Sequence, residues 1–428
     1  MKKKVFFAWF IFCLFFIFNL LPSNADVVAI KAEGVVNGVM SDFISKNINY
    51  AAGKNAELLV IELDTPGGLA SSMEKIVKSI NASEVPVAVY VSPGGAKAAS
   101  AGVFITLSAH IAAMAPGTNI GAAHPVNIGG EKMDKTMAEK VVNDASAYIK
   151  SIAEKRGRNS EWAEKAVRES VSITNEEALK LNVIDIVAPN LDSLLQTIDG
   201  RTVETSIGKH VIKTSGIKVE RQEMGLRLKI LNIISNPNVA YLLMLLGFYG
   251  IFFEFTSPGA IFPGVFGSIS LILALYAFQP DILPVNWAGL ILIIIAIIMF
   301  ILEVKIISHG ALTIGGIIAM IMGSLMLFES PEPFLSASLK VIIPAVLVTA
   351  LFFIFTISLA LKAYRRKPQT GVEGLIGYEG EAKTDVRATG QVFVHGEIWS
   401  AWSDEPVKAG EKITVEKVEN LKLKVRKA

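Results

Sequence analysis

The chain has 428 residues, 52% of them hydrophobic and 19% charged, with a formal net charge of +2 and a mean hydropathy of +0.48. Soluble domains carry about 45–50% apolar and about 25% charged residues, so part of this chain is built for lipid. The near-neutral charge gives no footing for nucleic-acid binding. The single cysteine, Cys13, excludes a disulfide framework, a cysteine-based zinc site and, in a processed chain, a thiol nucleophile.

Lys2, Lys3 and Lys4 precede an apolar run from Val5 to about Phe18, and the small residues Ser23 and Ala25 come next. This is the pattern of a signal peptide over residues 1–25, with the mature chain beginning at Asp26. The alternative is an uncleaved anchor, and either arrangement exports the segment after residue 25.

Residues 26–230 read as a soluble α/β domain. Strands are expected at 27–30, 58–63 and 87–91, with helices near 40–53 and 69–82. Strand–helix–strand at this spacing implies right-handed crossovers and a mostly parallel sheet.

Two segments of this domain carry chemistry. Asp64-Thr65-Pro66-Gly67-Gly68 follows a buried strand, where glycines free backbone N–H groups for a ligand or for an oxyanion. A plain turn reads the same way. Gly94-Gly95-Ala96-Lys97-Ala98-Ala99-Ser100-Ala101-Gly102 follows the next strand and is expected to open an apolar helix through about Met114. A serine at a strand-to-helix junction suits a nucleophile, and a helix N-cap is the competing role for Ser100. Val103, Phe104 and the 111–115 stretch suggest an apolar lining for a hydrophobic substrate segment.

A serine needs a base. His110 falls in the expected helix, as a core histidine. His124 lies in a substrate-lining loop, Gly121-Ala122-Ala123-His124-Pro125, and His210 is the third histidine of the domain. Lys132, Lys135 and Lys140 lie in a polar stretch leading into a helix. A lysine base requires a lowered pKa, which partial burial supplies. The residues alone leave the base open between a histidine and these lysines.

Five apolar spans are expected between 239 and 362, at 239–256, 260–278, 286–303, 310–328 and 340–362. Each approaches the ~20 residues that cross ~30 Å of hydrocarbon. Ser257-Pro258-Gly259 and Pro263-Gly264 interrupt the first two, which leaves a re-entrant hairpin as the alternative. Lys362, Arg365, Arg366 and Lys367 flank the last span and Lys305 lies between the third and fourth, whereas the opposite loops carry Asp281, Glu329 and Glu332. The basic side is cytoplasmic. Glu254, near the end of the first span, is either an interfacial side chain or a functional carboxylate.

Residues 370–428 alternate in short runs, 391–394, 412–415 and 422–426, punctuated by glycines from Gly371 to Gly410. About five strands in this length suggest a small OB-like barrel, in which Trp399 and Trp402 fill or cap the core.

Three motifs in order, Asp64-Thr65-Pro66-Gly67-Gly68, Ala98-Ala99-Ser100-Ala101-Gly102 and Met114-Ala115-Pro116-Gly117-Thr118-Asn119-Ile120-Gly121-Ala122, resemble the long form of the NfeD family. These are membrane-bound relatives of the ClpP and signal-peptide-peptidase serine proteases, and the resemblance covers nearly the whole chain. It implies a ClpP/crotonase-like α/β domain, a multi-span helical region and an OB-like C-terminal domain. It further implies Ser100 as nucleophile and Lys140 as base, with Lys135 as runner-up. The oxyanion donors would be the N–H groups of Gly67 or Gly68 and of Ala101. The implied partners are stomatin- and flotillin-like membrane proteins, and the implied assembly is a homo-oligomer. No cofactor or metal is implied. Two rivals stand beside the protease: a membrane scaffold for flotillin-like assemblies, and an acyl-CoA enzyme on the shared crotonase fold, which an exported location disfavours.

Overall fold

The structure, a computed structural model, describes residues 26–126, 134–256, 261–306, 308, 310–328, 330, 333–364 and 372–428. The expected signal peptide with Cys13, and Lys132, Ser257-Pro258-Gly259, Glu329, Glu332, Arg365, Arg366, Lys367 and Gly371, lie outside these residues. The α/β domain and the apolar helices as far as residue 350, residues 303–307 excepted, belong to one compact unit, and residues 303–307 with the chain from 351 through the C-terminal barrel to a second.

The α/β domain runs β1 (Val27–Glu33), α1 (Gly38–Gly53), β2 (Leu58–Asp64), α2 (Ala70–Asn81), β3 (Val87–Val91), β4 (Lys97–Ala99), α3 (Ala101–Ser108), β5 (Ile111–Met114) and β6 (Asn119–Gly121). It continues through α4 (Lys135–Lys155), α5 (Ser160–Arg168), β7 (Ser172–Thr174), α6 (Asn175–Lys180), β8 (Ile186–Val187), α7 (Leu191–Ile198), β9 (Thr202–Thr205), β10 (Gly208–Val211), β11 (Val219–Gln222) and α8 (Leu226–Ile234). The main sheet has the order β11-β1-β2-β3-β5-β8, and every neighbouring pair is parallel. Alternate residues feed two cores. Val28, Ile30, Leu59, Ile61, Val87 and Val89 pack under the helices on one face. Val27, Ala29, Leu58, Val60, Ala88 and Tyr90 face α7 and its neighbours on the other. A sheet covered on both faces explains why β3 reads as an unbroken apolar run. This is the ClpP/crotonase-like domain of the fold class expected from sequence.

The helix expected to run from Ser100 to about Met114 is in fact two elements. α3 stops at Ser108, and Ile111–Met114 forms β5, paired in parallel with β3 from Ala88↔Ile111 to Val91↔Met114. A short apolar run buried on all sides carries no period that separates a helix from an interior strand.

Five apolar helices come next: α9 (Pro237–Thr256), α10 (Ile261–Ala277), α11 (Trp287–Lys305), α12 (Ala311–Leu327) and α13 (Leu339–Tyr364). α9 is long and apolar enough to cross a bilayer, and the apolar stretches of the other four are shorter. α9 and α10 meet through glycine: a Cβ on Gly250 would stand 2.6 Å from Gly267 Cα. Gly289 and Gly323 make the same close approach between α11 and α12. Small residues of this kind let helices associate where lipid offers no hydrophobic drive.

The second unit contains a closed five-stranded barrel of β12 (Glu379–Ala382), β13 (Gly390–Val394), β14 (Glu397–Trp402), β15 (Lys412–Glu419) and β16 (Lys422–Lys427), ordered β12-β13-β14-β16-β15. Val392, Val394, Ile413, Val415, Leu423 and Val425 fill it, and Trp399 packs against that core. Trp402 lies instead under the Lys424 ammonium, 5.0 Å from the ring centre.

Candidate active site

Ser100 stands between β4 and α3 with φ 49° and ψ −112°. A non-glycine residue in this region carries strain of about 1–3 kcal/mol, a feature that clusters at functional sites. Two bonds hold it there: its N–H donates to the Ala122 carbonyl at 2.8 Å, and its own carbonyl accepts from the Val103 N–H at 3.0 Å. The competing N-cap role is not realised, because the Ser100 side chain makes no capping hydrogen bond. Its half-buried hydroxyl is left facing a pocket of about 130 Å³.

The neighbouring turn is fixed by Thr65, whose place in the motif gave no hint of this function. The Thr65 hydroxyl accepts from the Gly67 N–H at 3.0 Å and donates to the Gly67 carbonyl at 3.1 Å. That carbonyl also accepts from Val36 N–H at 2.9 Å, and Leu69 N–H donates to the Val36 carbonyl at 2.8 Å. This corrects the expectation for Gly67: its N–H is already spent on a threonine and is no oxyanion donor. Gly68 and Ala101 both line the Ser100 pocket. Among the described residues neither N–H meets an acceptor, and Ala101, as the first residue of α3, has no intrahelical one. Two unpaired N–H groups beside a hydroxyl can hold the oxygen of a tetrahedral intermediate, and one such donor is worth about 2.7–4 kcal/mol. Glycine is obligatory at 68, where a Cβ would lie 2.1 Å from the Val36 carbonyl oxygen.

Of the expected lining residues, Phe104 borders the pocket with Met73 and Ala145. Val103 does not: it is wholly buried in the core. The 111–115 stretch is likewise interior. His124 is exposed and lies outside the pocket lining, with Nδ1 donating to the Val167 carbonyl at 2.8 Å. Two residues absent from the sequence reading complete the wall, Phe334 and Leu335 from the loop between α12 and α13.

The histidines offer no partner for Ser100. His110 Nδ1 accepts from the Val87 N–H at 3.1 Å. Burial, reinforced by Arg156, Arg158 and Lys155, pushes its pKa down to about 3. His210 pairs with Glu57 at 2.8 Å. Both lysines lie on α4 and are exposed. The buried side of α4 carries Ser146, Ile149, Ile152 and Ala153. At 3.6 residues per turn Lys135 falls on that side, three turns before Ser146, while Lys140 falls on the opposite one. The described residues contain no cluster of three or more His, Cys, Asp or Glu able to hold a metal. A larger cavity, about 700 Å³, surrounds the Glu62–Arg221 ion pair and excludes Ser100 from its lining.

An α/β domain with a strained serine at a strand-to-helix junction is thus joined to a region of apolar helices. Residues 26–196 match the N-terminal domain model of NfeD1b, 238–359 the NfeD integral membrane domain, and 372–427 the NfeD-like C-terminal, partner-binding domain. The membrane-bound protease PH1510 of Pyrococcus horikoshii is 36% identical over 94% of this chain and 93% of its own. Membrane protein NfeD1b of Bacillus subtilis is 26% identical over 95% and 94%. A solved 1510-N membrane protease, specific for a stomatin homolog from P. horikoshii, is 36% identical, covers 49% of this chain and 98% of its own, and superposes with a TM-score of 0.44. The chain belongs to the NfeD family of membrane proteases.

Proposed function

We propose that this protein is a serine endopeptidase with a Ser–Lys dyad, cleaving apolar segments of stomatin- or flotillin-like membrane proteins. The observation that carries the reading is Ser100, strained, uncapped and flanked by the unpaired N–H groups of Gly68 and Ala101. The lysine takes the proton from Ser100 Oγ, the alkoxide attacks a peptide carbonyl, and the two N–H groups hold the oxyanion. The proton then passes to the leaving amine. Lys140 is the base that the family resemblance selects. Lys135 is the second reading, favoured by its side of α4. Catalytic contacts are often loose before substrate binds. The apolar wall at Met73, Phe104 and Leu335 suits a hydrophobic segment. The five-span count and the basic flank at Lys362 support a domain outside the cytoplasm and a barrel inside. A homo-oligomer is expected by analogy with crotonase-type domains.

The test is cleavage of an apolar model peptide by the full-length protein in detergent. Ser100→Ala should lower kcat by at least about 10³-fold, and loss of the true base by about 10²–10⁴-fold. A loss confined to Lys140→Ala supports the dyad as drawn, and a loss confined to Lys135→Ala moves the base. No cleavage by folded wild type across a broad peptide set would leave the scaffold reading.

A further inference from the structure

The pocket at Ser100 is closed by a residue pair that belongs to the membrane region. Pro333–Leu335 forms a single 3-10 turn between α12 and α13. Leu335 is buried there and Phe334 half-buried, and both face the cavity shared with Ser100, Ala101 and Phe104. The approach is close. A methyl placed on Gly67 would stand 2.7 Å from Ser100 Cβ, 3.2 Å from its Oγ and 3.4 Å from Phe334 Cζ. One methyl-sized volume therefore touches both the nucleophile and the phenylalanine.

The loop is tied to the membrane helices. Ser338 N–H donates to Asn238 Oδ1 at 2.8 Å, fixing it to the start of α9. The loop between α10 and α11 docks on the α/β domain: Gly38 N–H donates to the Asp281 carbonyl at 2.8 Å, and Ser71 Oγ to Asp281 Oδ1 at 3.3 Å. Ile282 and Leu283 of that loop are buried. Gly38 and Ser71 sit at the N-terminal ends of α1 and α2, and Ser100 just before α3, so both membrane loops meet the carboxyl edge of the parallel sheet. Open α/β sheets bind their ligands at that edge.

About 130 Å³ stays open between Ser100 and the loop. The loop walls the pocket without filling it. An apolar cavity of about 150 Å³ accepts a benzene-sized group, so this one fits a single medium apolar side chain. A charged side chain would lose its water here with no partner in return.

We propose that Phe334 and Leu335 are specificity-determining residues, forming the wall that receives the apolar side chain at the cleaved bond. The membrane region then completes substrate selection and holds the site over apolar segments at the bilayer surface. This rests on the protease reading above and deepens it.

The test uses the full-length protein in phosphatidylcholine nanodiscs and three peptides identical except for Leu, Trp or Lys at the cleaved bond. Wild type should prefer Leu. Phe334→Ala, by opening the wall, should lower kcat/KM for the Leu peptide about tenfold and raise it for the Trp peptide, the scale on which a pocket reads one or two methylenes. An unchanged preference overturns the proposal. So does a uniform acceleration of all three peptides, the signature of a plug. A second measurement does not depend on catalysis. Ser100→Cys with Phe334→Cys, in a Cys13→Ser background, should crosslink with a short bis-maleimide, and failure to crosslink overturns the placement. Cleavage unaffected by Ser100→Ala would sink the protease reading, and the crosslink would then decide the wall by itself.

Discussion

The α/β domain and the helix bundle use glycine in opposite ways. In the domain, glycine is kept for backbone contacts around the site: a Cβ would strike the Val36 carbonyl at Gly68 and Ser172 Cα, 2.3 Å away, at Gly121. In the bundle, Gly250 and Gly267 lie inside helices, where glycine costs about 1 kcal/mol relative to alanine in water. The difference comes from the solvent. A buried Val, Leu or Ile contributes about 1.5–3 kcal/mol where water is excluded, so the domain can hold a strained serine on its apolar core. Lipid is as apolar as leucine, so the bundle gains mainly from close backbone approach and a few hydrogen bonds.

The comparison predicts large single-residue effects in the domain and small ones in the bundle. The largest should come from Arg158, whose buried guanidinium donates to the carbonyls of Leu107 and Ala109 at 2.7 and 2.9 Å and pairs with Asp185 at 2.6 Å. These bonds close the far end of α3, the helix that Ser100 opens. Arg158→Ala should destabilise the domain by about 3 kcal/mol, read as roughly 100-fold faster hydrogen exchange at the α3 and β5 amides. Exchange there unaltered would mean that the apolar core alone fixes α3.

Acid should act next most strongly, through His110. Its folded pKa of about 3 lies below the usual histidine value because burial, then Arg156, Arg158 and Lys155, oppose its charge. The unfolded chain therefore binds the extra proton between about pH 6.5 and pH 3, and stability falls as pH falls through that window. Between pH 7 and pH 4 this group should cost the domain about 3 kcal/mol. His110→Gln should flatten that part of the profile, measured by unfolding at a series of pH values, and a slope unchanged in the variant would assign the acid sensitivity elsewhere.

The smallest effect should be in the bundle. Tyr241 and Ser324 share a buried hydrogen bond of 2.8 Å between α9 and α12. Tyr241→Phe should lower stability by only about 0.6 kcal/mol, measured by unfolding in mixed micelles. A loss near that of Arg158→Ala would erase the contrast between the two regions.

The sequence carried the elements whose signal is local. Short apolar runs marked β1, β2 and β3, alternation and turn residues marked β13, β15 and β16, and Ala98-Ala99-Ser100-Ala101-Gly102 marked the junction at Ser100. It misassigned elements that depend on distant partners. Ile111–Met114 read as helix because its strand character comes from pairing with the distant strands β3 and β8. Val103 and Phe104 are adjacent in sequence and equally apolar, yet only Phe104 faces the pocket. Gly67 and Gly68 were indistinguishable until the Thr65 hydroxyl was seen to take one N–H and leave the other.

By itself, then, the sequence determined the parallel α/β domain, the apolar helical region, the closed barrel and the serine between strand and helix, because period, composition and turn chemistry are written within a few residues of one another. Tertiary structure alone decided which glycine N–H is free and which face of α3 meets the pocket. It alone brought Phe334 and Leu335 to Ser100 across more than half the chain, because a contact between such distant segments exists only once the chain has folded.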